Sequence, residues 1–442
     1  MLSNPVLISI ILMLGLCFFK FNVFLAIVIA GIFAGVLNIA LTTGFGSLSG
    51  FFDSLSKVTN AFIDGMAGNL ETSFSYVLVG ALAMAISQTN LTVIFVRFVS
   101  RYLTNKKFVL LICIALVAST SQNLIPIHIA LMPIMLPPLI TLFNKLKIDR
   151  RAVAVAATFG LTTPYMTLPL GFGLIFQNIV TRELNKSGLD ITRSDVASVV
   201  WLMVFIMLFG LIAAIIYYRK PREYKEIEQK YQNIDEIKIG KSEILVGIGL
   251  LITLALQLVT DSLSFASLIG FLFIFISGAL PFSKLGDVFN KGFALMGYVA
   301  FIMLVASGFG SILRSTGGIE EMVNFALSIT DNRVLVAFAM MVVGLLITLG
   351  IGSSFGTIPI VATLFTPICL GFGFSIESII FIIACAGVVG DTGSPASEQT
   401  LGVNVGLNVD GQCDHIKDVC VPTFIFYNIP LVVLGTVVAC IL

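Results

Sequence analysis

Apolar residues run along this chain in blocks of roughly 17 to 25 positions, the length a helix needs to cross a hydrocarbon core of about 30 Å. Residues 5–19, 22–45, 73–96, 152–181 and 196–218 form five such blocks ahead of a charged stretch. Residues 243–260, 264–280, 293–313, 378–409 and 419–442 form five more behind it. The pattern predicts an all-α polytopic membrane protein with about ten transmembrane helices. The first block is read as a span and not as a cleaved signal, because no basic residue precedes it and another apolar run starts at Asn22. Blocks 152–181 and 378–409 are interrupted by Thr162-Thr163-Pro164 and by Asp391-Thr392-Gly393-Ser394-Pro395, which reads as two broken spans.

Two further apolar stretches, 108–143 and 334–373, carry polar interruptions near their middles. These are Ser119-Thr-Ser-Gln-Asn-Leu-Ile-Pro-Ile and Gly352-Ser-Ser-Phe-Gly-Thr-Ile-Pro-Ile, in which Pro126 matches Pro359. Arg97, Arg101, Lys106 and Lys107 precede the first stretch and Lys145, Lys147, Arg150 and Arg151 follow it. Basic residues gather on the cytoplasmic side, so this stretch is expected to enter and leave by that face as a re-entrant hairpin. The second lacks such flanks and is expected to enter from outside, the two hairpins meeting tip to tip. Span, hairpin and broken span recur in one order, together with Ser75-Tyr76-Val77 and Gly297-Tyr298-Val299, so the chain reads as two repeats, 1–218 and 243–442. Five crossings is an odd number; the second repeat is therefore inverted and both termini lie outside. Between the repeats, Arg219–Lys241 holds 12 charged residues in 23, seven of them Lys or Arg, and reads as a cytoplasmic linker over 219–242.

Composition sharpens this picture. The chain is 57% hydrophobic and 11% charged, whereas soluble domains carry about 25% charged residues; its solvent is the lipid bilayer. A net charge of +1 gives no reason to expect a nucleic acid partner. Seven scattered cysteines form no C-x-x-C pair and read as packing residues; Cys413, His415 and Cys420 fit no zinc spacing. No nucleophile elbow or phosphate-binding loop occurs, so neither an enzyme nor a cofactor is expected beyond a coupling ion, Na+ or H+. The linker is too short to fold as a nucleotide-hydrolysing domain.

Helices break inside a membrane only where the freed backbone faces protein or a wet cavity, since an unpaired N–H or C=O costs several kcal/mol in hydrocarbon. The tips and breaks therefore mark the candidate binding site: Ser121, Gln122, Asn123, Thr162, Thr163 and Pro164 from the first half, and Ser353, Ser354, Gly356, Thr357, Asp391, Thr392 and Ser394 from the second. Their hydroxyl and amide oxygens are hard donors suited to Na+ or to a polar solute, although single Ser and Thr hydroxyls in membrane helices also bond back to their own carbonyls. Asp391 stands out because a carboxylate at the bilayer centre costs about 2.5–3.5 kcal/mol on insertion scales, and such groups mark ion pathways. A structural role as a helix cap is its alternative. His128 titrates in the physiological range and belongs to the same set of candidates, a hydrogen-bonded structural histidine being the alternative. A Na+ ion would find oxygens at Asn123, Thr163, Thr357 and Asp391. Both hairpin cores lack Lys and Arg, so with Asp391 a cation or a zwitterionic amino acid suits the site better than an anion.

Ser121-Gln-Asn-Leu-Ile-Pro-Ile-His-Ile-Ala130, Asp149-Arg-Arg-Ala-Val153, Pro169-Leu-Gly-Phe-Gly-Leu-Ile-Phe176 and Gly390-Asp-Thr-Gly-Ser-Pro-Ala396 resemble the Na+/H+ antiporter family of the ion transporter superfamily, and in particular its branch of bacterial amino-acid, notably histidine, permeases. The resemblance covers nearly the whole chain. It implies an elevator fold: hairpins and broken helices move as a transport domain against a scaffold that forms a homodimer, with joining arms near 97–107 and 317–330. It also implies a bacterial inner-membrane location and a small-molecule or ion substrate. Ion-coupled uptake of an amino acid such as histidine is the expected function, with Na+/H+ antiport lacking an organic substrate as the alternative. A membrane scaffold or receptor without transport is a third class, against which the polar mid-membrane breaks speak.

Overall fold

The computed structural model describes residues 4–19, 21–90, 107–121, 131–225, 240–260, 262–319, 330–351, 353–395 and 397–442, with the isolated positions 321, 324 and 328. Among the described residues the fold is entirely helical. Among these described residues six helices are long and apolar enough to cross a membrane, or up to eight when each of two bent pairs counts as one span, and four shorter apolar helices accompany them.

Helices α1 (Pro5–Phe18) and α2 (Val23–Thr42) follow the sequence pattern closely. Asn22 caps α2 by accepting a hydrogen bond from the Leu25 amide. Next comes α3 (Leu48–Met66), which the apolar-block reading does not contain. Its buried face is only a stripe, Val58 and Phe62 at i and i+4, while Asp53 and Lys57 are exposed. That stripe sits on two glycines of α2: a Cβ at Gly31 would lie 2.6 Å from the Phe62 ring, and one at Gly35 2.6 Å from Val58. A 54° bend separates 48–69 from 73–87, and α4 (Leu70–Ser87) follows.

The first hairpin contributes α5 (Lys107–Ala118), α6 (Leu131–Met135) and α7 (Ile140–Lys145). The expected site residues Gln122, Asn123 and His128 lie outside the described residues, as do the linker over 226–239 and most of both expected arms. The first broken span is α8 (Arg150–Thr167) and α9 (Phe172–Lys186), bent by 48°. It breaks at Leu168–Gly171, not at Thr162-Thr163-Pro164 as expected. Pro164 sits inside α8, and the backbone turns where Gly171 takes φ 55°, a conformation open to glycine. A proline clashes with the carbonyl four residues earlier; here that residue is Gly160, and the helix continues through it. Then α10 (Arg193–Tyr217) crosses back.

In the second half, α11 (Lys241–Thr260), α12 (Leu263–Ile276) and the long α13 (Leu285–Ser315) precede the second hairpin, α14 (Arg333–Ile351) and α15 (Ser354–Gly371). The second broken span is α16 (Ile376–Val388) and α17 (Glu398–Leu407), parted at Asp391–Pro395 as expected. The last span, α18 (His415–Ile441), contains two wide π turns at His415–Cys420 and Phe424–Asn428.

Packing sorts these helices into two groups. In one, α13 lies against α2, α3 and α4, and α12 bridges α4 and α11. In the other, α5 packs on α8 as α14 packs on α16, and the far segments are exchanged, α9 lying on α15 and α17 on α6. These two contacts of the first hairpin and broken span thus have counterparts in the second. Glycines set the closeness: a Cβ at Gly160 would fall 2.2 Å from the Ala115 carbonyl oxygen of α5, and one at Gly344 2.6 Å from the Ala386 carbonyl oxygen of α16. The main bridge between the groups is α13 against α15, with α1 against α14.

Candidate functional site at the broken helices

Asp391 follows the end of α16 and is 4% exposed. Three side chains donate to its carboxylate. Tyr165 Oη of α8 lies 2.7 Å from Oδ2, Ser397 Oγ at the cap of α17 lies 3.2 Å from Oδ1, and Gln399 Nε2 lies 3.4 Å from Oδ2. Tyr165 Oη is also 3.0 Å from Ser354 Oγ, in the first turn of α15. Thr162 Oγ1 donates to Gln399 Oε1. One buried network therefore joins the first broken span, the second hairpin and both sides of the second break. The break explains why these atoms can meet: the carboxylate lies beside the N-terminus of α17, whose unpaired amides and partial positive charge favour an anion.

An aromatic wall surrounds this network. Tyr165 stacks near Phe176 and Phe355, each with centroids 5.8 Å away, and Phe355 meets Tyr76 of α4 at 5.1 Å. Phe172 completes it, 5.3 Å from Tyr76. Tyr76 comes from the other helix group, so the site abuts the junction between the two. Gly356 plays a packing part there, since a Cβ would lie 2.8 Å from Ile302 of α13.

The other expected residues distribute around this centre. Thr357 Oγ1 bonds back to the Ser353 carbonyl at 2.9 Å, the local alternative expected of such hydroxyls. Ser353 caps α15 in extended conformation. Ser394 Oγ reaches the Leu349 carbonyl of α14 at 3.1 Å. Thr392 Oγ1 donates to Asn428 Oδ1 in the second π turn of α18, and Asn428 Nδ2 is buried without an acceptor among the described residues. Thr163 Oγ1 is likewise buried and unpaired. It is three residues from Gly160, on the face of α8 that touches α5 near Ser119. Ser121 is buried at the end of the described part of the first tip. Among the described residues no three His, Cys, Asp or Glu side chains gather as a metal cluster; an alkali ion would depend on hydroxyl, carbonyl and single-carboxylate oxygens.

Residues 156–436 match the model of the Na+/H+ antiporter family, and residues 4–103 match that of a second Na+-H+ antiporter family. The chain belongs to the Na+/H+ antiporter family. An uncharacterized membrane protein of Vibrio parahaemolyticus is 42% identical over 453 residues, covering 99% of this chain and 100% of its own. The "Putative amino acid transporter YuiF" of Bacillus subtilis is 40% identical over 403 residues, covering 88% and 91%. Two solved transporters share the fold. YdaH of Alcanivorax borkumensis has a TM-score of 0.62 at 14% identity over 88% of each chain, and MtrF of Neisseria gonorrhoeae 0.61 at 13% over 87% and 84%. This antiporter-family chain is thus a multi-pass protein with a transporter fold.

The sequence pattern did not single out Tyr165, Ser397, Gln399 or Asn428. Ser397 and Gln399 could have been found from their position just past the break, where caps and first-turn side chains face the gap. Tyr165 and Asn428 offer no such signal, because an aromatic or amide within an apolar run reads as packing.

A second polar network ties down the face that carries the linker. Arg150, at the start of α8, is fully buried; its guanidinium donates to both Asp410 oxygens, to the Leu407 carbonyl at 3.0 Å and to Asn144 Oδ1 at 3.1 Å. Arg222 pairs with Asp418 at 2.8 Å and with Asp149 at 3.5 Å. Tyr224 Oη accepts from the Arg150 amide at 2.9 Å. Burial alone would raise the Asp410 carboxyl, but the hydrogen bonds and charge of Arg150 outweigh it and hold the group below the ordinary carboxylate range. The beginning of the linker therefore clips the first half to the loop after α17.

Proposed function

We propose that the protein is an ion-coupled secondary transporter that takes up a small amino acid, histidine being the first candidate, across a bacterial inner membrane using Na+ or H+. The observation that carries this reading is the buried Asp391 carboxylate, held at a helix break by donors from three other positions, Tyr165, Ser397 and Gln399. Such a carboxylate can exchange its donors for an ion or a proton, and each exchange alters contacts among α8, α15 and α17. Two helix N-termini, those of α15 and α17, offer amides to a substrate carboxylate, while Asp391 offers a counter-charge to an ammonium. Thr163, whose hydroxyl has no partner among the described residues, supplies an oxygen for Na+, with Asn123, Thr357 and Asp391 as the remaining proposed ligands. The description of the Bacillus subtilis relative YuiF as an amino acid transporter supports an amino acid as cargo. Inward movement of one positive charge at 100 mV provides about 2.3 kcal/mol, or roughly fiftyfold accumulation.

In this reading the two packing groups are a mobile transport part and a dimeric scaffold, arranged as inverted repeats 1–218 and 243–442 about a cytoplasmic linker, with both termini outside. The pairwise exchange of α9 and α17 between hairpins supports the repeats. Na+/H+ antiport without an organic substrate is the second reading, favoured by the family's own description. Proteoliposomes separate the two: accumulation of labelled amino acid under an imposed Na+ or proton gradient supports the first, and Na+-dependent dissipation of ΔpH without uptake supports the second.

A further inference from the structure

A cavity of about 260 Å³ opens on the linker-bearing face, where α5 and α8 begin and α10 ends. Its rim carries four cations, Lys107, Lys147, Arg219 and Lys220. Its floor is apolar and buried, with Leu111, Ala152 and Ile215. Phe108 and Ile216 line it as well and are 54% and 58% exposed, so the apolar lining runs out onto helix faces that would meet the bilayer. Among the described residues Asp149 is the single acid in the lining, and its oxygens are already taken by Arg151 at 2.6 Å and Arg222 at 3.5 Å. Lys147 pairs with Glu223 at 2.5 Å, but both side chains are more than half exposed, and such surface pairs are readily displaced. Lys107 Nζ donates one hydrogen to the Lys147 carbonyl at 3.4 Å and keeps two for other partners.

We propose that this cavity is a specific site for one anionic phospholipid. The headgroup phosphate sits among Lys107, Lys147, Arg219 and Lys220, and an acyl chain runs over Phe108 and Ile216 into the bilayer. Charge complementarity selects an anion, because four cations face one acid that is already paired. The apolar floor and its continuation onto exposed side chains select a lipid over free phosphate, which would satisfy the rim and leave the floor bare. Basic recesses between membrane helices at the headgroup level suit such lipids. A bound lipid would brace the start of α8, the helix that carries Thr162 and Tyr165 further along.

Native mass spectrometry of the full-length protein in neutral detergent, titrated with phosphatidylglycerol or phosphatidylcholine, tests this. Wild-type protein is expected to retain one phosphatidylglycerol and to bind phosphatidylcholine at least about tenfold more weakly. Lys107→Gln/Lys147→Gln/Arg219→Gln/Lys220→Gln should lose that preference, whereas Lys284→Gln/Lys291→Gln, which removes charge away from the cavity, should keep it. Arg219 and Lys220 are exposed, so Arg219→Gln/Lys220→Gln keeps the test open should the quadruple variant not fold, and it should show a partial loss. Millimolar inorganic phosphate should fail to displace the lipid. Equal binding of the two lipids, full retention of phosphatidylglycerol by the cavity variants, or displacement by phosphate alone would each overturn the proposal.

Discussion

Asp391 is held where it is by groups that become neighbours only after folding: Tyr165 is 226 positions away and Ser397 only six. That spread explains what was legible. A carboxylate inside an apolar run announces itself by its cost, and Thr162 by its place two residues before a proline. Tyr165 does not, since nothing local distinguishes a hydroxyl that meets a carboxylate from one that packs. Removing that hydroxyl is a clean probe, because the ring can keep its stacking on Phe176 and Phe355. A hydrogen bond to a charged group contributes about 1.5–3 kcal/mol, so Tyr165→Phe should change the apparent coupling-ion affinity by about ten- to hundredfold. Ion titration of transport rate in vesicles measures it; an unchanged half-saturation would remove Tyr165 from the site.

At the scale of helices, the sequence located the described arms of the hairpins and both broken spans, yet displaced the first break. Pro164 looked like the interruption, but a single lost amide does not stop this helix, and the turn comes at Gly171. Helix α3 escaped notice because a membrane-length apolar run is a strong signal and a two-residue stripe at i, i+4 is a weak one. The same glycines give a prediction. Gly160→Val would push side-chain atoms into the Ala115 carbonyl of α5, and overpacking of this kind costs about 1–3 kcal/mol. Because the displaced surface adjoins the first tip, thermal unfolding should occur at lower temperature and transport should fall further than unfolding explains. A variant with wild-type melting and uptake would show that the close approach of α5 and α8 is dispensable. Gly344→Leu is expected to do the same through Ala386 of α16.

Across the whole molecule, the Arg150–Asp410 pair and its neighbours fasten the two halves together on the linker-bearing face. Charge counting reads the linker as cytoplasmic, but it shows how many charges a loop has and not which of them are engaged. Residues 222–225 bond to 147–150 and to 412–418. Asp410→Asn would leave the Arg150 guanidinium buried without its counter-charge, at a cost of about 3–5 kcal/mol. A carboxyl held below its ordinary value stabilises fully above that ordinary value, and the contribution disappears as pH falls through the lowered one. The gap in melting temperature between wild type and Asp410→Asn should therefore be complete at neutral pH and shrink only in strong acid; a gap that closes near neutrality would contradict this assignment. The most direct test is accumulation of labelled histidine by proteoliposomes under an inward Na+ or proton gradient, comparing wild type with Asp391→Asn of equal folded content. The account predicts gradient-driven accumulation by wild type and none above background by the variant; accumulation at wild-type level by Asp391→Asn would contradict it.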